Sequence, residues 1–98
     1  MQECVYHTAV MLVSIHIPSA QSLKDKRMVL RSIKDRVRNR FNVSAAELDG
    51  QDKWQVATLG FSIVSADSKF IDSSFQKLLA LIESYPDLYV CEHAIEML

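Results

Sequence analysis

Eight of the eleven lysine and arginine residues of this 98-residue chain lie between Lys24 and Arg40, where Asp25 and Asp35 are the only acids. That stretch has a net charge of +6, and the three bases and ten acids outside it leave −7. The chemistry such a run supports is anion binding. Lys24, Arg27, Arg31, Lys34 and Arg38 recur at intervals of three, four, three and four. At about 100° per residue this places them on one helical stripe about 21 Å long. Cations in a row of that length can track a phosphate backbone. The competing reading is a solvated face whose charges answer the acidic remainder of the molecule. Lys24, Lys26 and Arg27 favour function, because positive charge in the first turn of a helix is unfavourable by about 0.3–1 kcal/mol per residue and Asp25 offsets only part of it. Unpaired N–H groups beside three cations describe an anion site. The binding set is therefore Lys24, Lys26, Arg27, Arg31, Lys34 and Arg38. Lys26 lies nearer the apolar face and has a structural alternative, an ion pair with Glu47, Glu92 or Glu96.

Other chemistries find less support. Phosphate-cradling loops need clustered glycines, and Gly50 and Gly60 stand alone. Cys4, His7, Cys91 and His93 would converge if the first and last strands pair, and thiolate and imidazole suit zinc, but the spacing matches no paired metal motif. No metal and no cofactor are expected. His16, beside Pro18, reads as a solvated strand end. No serine, cysteine or carboxylate has an evident catalytic partner, so a binding protein is expected rather than an enzyme.

These residues need a scaffold, and the pattern supplies one. Tyr6 to Pro18 reads as a strand in which Met11, Val13, Ile15 and Ile17 alternate with Leu12, Ser14 and His16. Ser22 and Asp25 resemble a capping box, and Leu23, Leu30, Ile33, Val37 and Phe41 follow at helical spacing. Phe41 to Leu48 is a weaker strand, Asp49-Gly50-Gln51-Asp52 a turn, and Trp54 to Ser65 a third strand. Asp67 caps a second helix whose apolar face is Phe70, Ile71, Leu78, Leu81, Ile82 and Tyr85, with Pro86 beyond its end. Leu88 to Met97 is the fourth strand. The order β-α-β-β-α-β predicts a single α+β domain over residues 1–98, a ferredoxin-like sandwich with a four-stranded antiparallel sheet and both helices on one face. Acylphosphatase-like enzymes share this topology, but their glycine-rich arginine loop has no counterpart between Pro18 and Leu23.

With both helices on one side, the other face of the sheet meets water or a partner. The register offers Tyr6, Val10 and Leu12 to it, joined by Trp54 and Val56, and an apolar patch of this kind marks an interface. The alternative function is thus a protein-interaction or regulatory module that forms a homodimer through the open sheet. Gly60-Phe61-Ser62-Ile63-Val64 echoes part of an RNA-recognition motif, but Leu59 stands where a basic residue belongs, and Phe61 and Ile63 read as core.

A 49% hydrophobic and 23% charged composition with two prolines and two glycines excludes disorder and low complexity. Two cysteines make no disulfide framework. The longest apolar stretch, Ala9 to Val13, is far too short to span a bilayer, and no basic signal region precedes it. A cytoplasmic protein without membrane association is expected.

The run from Ser22 to Asp67 resembles the YlxP-like family of small bacterial proteins, most specifically in SLKDKR, FNVSAAE, Trp54 and LGFSIVSAD. The resemblance implies a ferredoxin-like fold of unknown function. Members are commonly encoded near translation-initiation and ribosome-maturation factors, which implies ribosomal RNA or a ribosome-associated protein as partner. No catalytic residues are established for the family, so none carry over. The matching positions of interest are Lys24, Lys26 and Arg27 in SLKDKR and Glu47 in SAAE.

Overall fold

His7–His16 forms the first strand, β1, because apolar Ala9, Met11, Val13 and Ile15 occupy every second position and are buried, while Val10, Leu12, Ser14 and His16 point the other way. The computed structural model describes residues 3–98. After β1 come α1 (Leu23–Arg40), β2 (Ser44–Asp49), β3 (Val56–Ser65), α2 (Ser68–Glu83) and β4 (Tyr89–Met97). The strands are ordered β2-β3-β1-β4 and every neighbouring pair is antiparallel. This is the ferredoxin-like α+β arrangement expected from the sequence. The helix side of the sheet holds the core, where Met11, Val13, Ile15, Leu59, Phe61 and Ile63 meet Leu30, Ile33 and Val37 of α1 and Ile71, Phe75, Leu78 and Ile82 of α2. Phe61 and Ile63 are core residues, as read.

Each helix starts on a side chain. Ser22 Oγ accepts the N–H of Asp25 at 3.0 Å, and Asp25 Oδ2 accepts the N–H of Gln21, also at 3.0 Å. The reciprocal half of the capping box thus reaches one residue further back than the usual partner. Asp67 Oδ1 accepts the N–H of Lys69 at 2.9 Å. Phe41 does not begin β2; it closes α1, donating its N–H to the Val37 carbonyl at 2.8 Å. Tyr6 and Trp54 likewise fall just outside their strands. Phe70, expected on the apolar face of α2, is exposed. The buried arc is centred on Ile71, Phe75, Leu78 and Ile82, at steps of four, three and four, and a residue one step before Ile71 is turned about 100° away from it.

The β2–β3 connection depends on Gly50, which has φ +81°. A Cβ built there would stand 2.9 Å from the Val56 carbonyl oxygen. Left-handed backbone costs an L-residue with a side chain about 1–2 kcal/mol. Gly50→Ala is therefore expected to lower Tm by roughly 4–8 °C for each kcal/mol lost in a domain of this size. A melting curve followed by circular dichroism checks it, and an unchanged Tm would show that the turn tolerates a side chain.

Candidate anion-binding site

Lys26 begins the stripe that continues through Leu30, Ile33 and Val37, so helical geometry points it into the domain. It is fully buried, with 0% of its surface exposed. Its ammonium group donates to Glu47 Oε2 at 3.0 Å, to the Gly50 carbonyl, and to the Val56 carbonyl at 3.4 Å. Three donors meet three acceptors, which satisfies the group without water. Among the described residues Lys26–Glu47 is the only ion pair. Of the three carboxylates offered for Lys26, the fold selects Glu47, because Glu92 and Glu96 pair with Ser14 and Val10 on the opposite face of the sheet. Lys26 therefore leaves the anion-binding set, since an external anion cannot reach it.

The remaining cations sit differently. Lys24, Arg27, Arg31 and Arg38 are exposed and Lys34 is half-buried. Arg27, Arg31, Lys34 and Arg38 line a groove of about 330 Å³ between α1 and β2, together with Leu30, Asp35 and Glu47. Arg38 Nη2 donates to the Ala45 carbonyl at 2.9 Å, anchoring its guanidinium on the β2 backbone. Glu47, with 18% of its side chain exposed, is committed to Lys26. Among the described residues none of these four cations lies within ion-pair distance of a carboxylate, although Asp35 also lines the groove, and guanidinium groups suit the bidentate capture of phosphate oxygens. Arg36 is diverted from this set and lies over the Tyr85 ring, 5.0 Å from its centroid, while the Tyr85 hydroxyl meets Ser32 Oγ at 2.9 Å. At the helix start Ser22 caps the Asp25 N–H and the Asp25 carboxylate accepts from Gln21. The exposed cations thus run from Lys24 at the helix start to Arg27, Arg31, Lys34 and Arg38 in the groove along the flank of α1.

Three of the five proposed interface positions share the other side of the sheet. Val10, Leu12 and Val56 lie on the open face, Val10 half-buried and the other two exposed, and Tyr6 and Trp54 are exposed beyond the strand ends. The thiols and imidazoles do not converge. Cys91 lies at the β4 bulge opposite Ser14 and Ile15, seven or more residues along β1 from His7, a separation of about 24 Å at 3.4 Å per residue. Among the described residues no group of three His, Cys, Asp or Glu side chains could hold a metal ion. Among the described residues no helix is long and apolar enough to cross a membrane.

The fold and this groove together describe a small α+β domain with an asymmetric charge, a class defined by architecture rather than by activity. The chain belongs to the family described as protein of unknown function (DUF503), whose sequence model matches residues 8–95. It is 43% identical over 72 residues to the protein named Uncharacterized protein YlxP from Bacillus subtilis (strain 168), a match covering 74% of this chain and 78% of that one. The fold also resembles a solved structure titled De novo designed protein Foldit4, at a TM-score of 0.53 and 16% identity over 93% of this chain and 96% of the other. That likeness concerns the fold alone.

Sequence reasoning found the stripe but not the groove, because β2 supplies one wall and the Ala45 carbonyl that anchors Arg38. The burial of Lys26 did have a signal, its position four residues before Leu30. Removing one member of a buried pair costs about 3–5 kcal/mol when the other is left charged and unpaired. The partial exposure of Glu47 favours the lower end. Lys26→Met is expected to destabilise the domain by about 3 kcal/mol, and Lys26→Met with Glu47→Leu to recover part of the loss. Urea denaturation of both variants measures this. Equal loss in the single and double variants would show that the two carbonyl bonds, not the ion pair, are what matter.

Proposed function

We propose that the chain is a non-enzymatic binding protein that holds the phosphates of single-stranded RNA along α1. The observation that carries this reading is that Lys24, Arg27, Arg31, Lys34 and Arg38 have no carboxylate partner among the described residues, although the rest of the chain has an excess of acid. Internal neutralisation, the competing account of the charge run, is met among the described residues at Lys26 alone. Phosphate contacts of this kind position a strand without reading its sequence. Of the two partners implied by the family resemblance, ribosomal RNA and a ribosome-associated protein, the first has this chemistry.

Five neutralised phosphates give a slope of log K against log salt near about −3.5 at roughly −0.7 per contact on a single strand. Replacing Lys24, Arg27 and Arg31 by Gln leaves two contacts and a slope near about −1.4. Fluorescence anisotropy of a labelled ribosomal RNA fragment, titrated at several salt concentrations, measures both. Absence of binding, or a slope unchanged in the triple variant, would overturn the proposal.

A further inference from the structure

Whatever the basic groove binds, the open face of the sheet has a different chemistry and needs a separate explanation. No lysine or arginine occurs in any of the four strands. Cross-strand partners share a face, so the pairings map this side of the sheet. Ala46, Gly60, Leu12 and Ala94 form one row across it, and Val56, His16 and Tyr89 another. Gly60 leaves a gap that Leu48 covers: a Cβ at Gly60 would stand 2.5 Å from Leu48 Cδ1. The result is a shallow apolar trough of about 270 Å³ walled by Val10 and Leu48. Toward the Val56–His16–Tyr89 end of the face the residues Trp54 and Tyr89 are 54% and 65% exposed, and Leu12 at its centre is 37% exposed. Carboxylates flank the apolar centre on both edges, Glu92 and Glu96 on β4 and Asp49 on β2, where Lys53 lines the same end of the face.

The charge pattern selects the occupant. A nucleic acid would meet three strand carboxylates against the single cation Lys53. A second copy stacked on this face would bring three carboxylates from each protomer into one interface with only Lys53 of each, beside Asp49, to answer them, and desolvating unpaired charge is costly. A partner that carries its own cations at the margins has neither difficulty. The dimensions agree: four strands about 4.8 Å apart and a ten-residue β1 at about 3.4 Å per residue give a face of roughly 600 Å², near the about 800 Å² per partner of a standard protein interface. A helix about 10 Å across fits between the edges and leaves its flanks within reach of both acid rows. Exposed tryptophan and tyrosine are the residue types that anchor such contacts.

We propose that the open face of the sheet docks an amphipathic helix of a partner protein, one that bears an apolar stripe flanked on both sides by lysine or arginine. Leu12, Val10 and Leu48 take the stripe, Trp54 and Tyr89 close over its end, and Glu92, Glu96 and Asp49 receive the flanking cations. The proposal is independent of RNA binding by α1.

Trp54 is the single tryptophan of the chain, so its emission reports on this face directly. The full chain is titrated with an 18-residue helical peptide of leucines flanked by lysines, lacking aromatic residues, and with the same peptide carrying glutamates. The lysine peptide is expected to bind saturably at one per chain and to shift Trp54 emission to the blue, and the glutamate peptide to leave that emission unchanged. Leu12→Asp is expected to weaken the lysine peptide at least tenfold. Glu92→Lys with Glu96→Lys, both at exposed edge positions, is expected to exchange the preference between the two peptides. Equal emission changes from both peptides, or indifference to Leu12→Asp and to the charge exchange, would overturn the proposal. So would a dimer in sedimentation equilibrium that Leu12→Asp dissociates, since a second copy would then cover the face.

Discussion

The ammonium group of Lys26, buried beneath the first turns of α1, is the point on which the arrangement depends. A charge removed from water must be fully hydrogen-bonded, and here the partners come from two parts of one hairpin: the Glu47 carboxylate on β2 and the carbonyls of Gly50 and Val56 on either side of the turn. One side chain therefore ties α1 to the hairpin and holds the turn closed. It also sets the rotation of the helix. With Lys26, Leu30, Ile33 and Val37 facing inward, the 100° step turns Arg27 and Arg31 outward beside β2, where they and Lys34 and Arg38 line a groove.

This arrangement separates charge by layer. The strands carry carboxylates and histidines, while α1 carries eight of the eleven bases. A net charge of −1 conceals this entirely. The surfaces on the two sides of the sheet consequently differ in chemistry: a cationic groove on one, an apolar trough with carboxylates at its edges on the other. The fold alone says nothing of this, since a designed protein of 16% identity shares the topology. What distinguishes the chain is where its charged side chains fall on a common framework.

Most of the architecture was legible because burial imposes a period on the residues that make it. The alternation of Met11, Val13 and Ile15 and the helical spacing of Leu30, Ile33 and Val37 are consequences of two-fold and 3.6-fold geometry, and Ser22 and Asp67 satisfy orphan N–H groups wherever a helix starts. Errors gathered at edges. Phe41 reads as strand but closes α1, and Phe70 reads as core but lies one step outside a buried arc whose centre, Phe75, the spacing did not single out.

The sequence by itself determined the element order, the register of β1 and the concentration of cations on one helix, since each follows from local period and composition. Only the tertiary structure decided which cations are free. Lys26 and Arg27 are chemically similar neighbours, yet one is sealed against Glu47 and the other opens onto a groove, because that outcome depends on a hairpin some twenty residues further along the chain. A charge run records what a helix can offer; the strand packed beside it settles which charges are already taken.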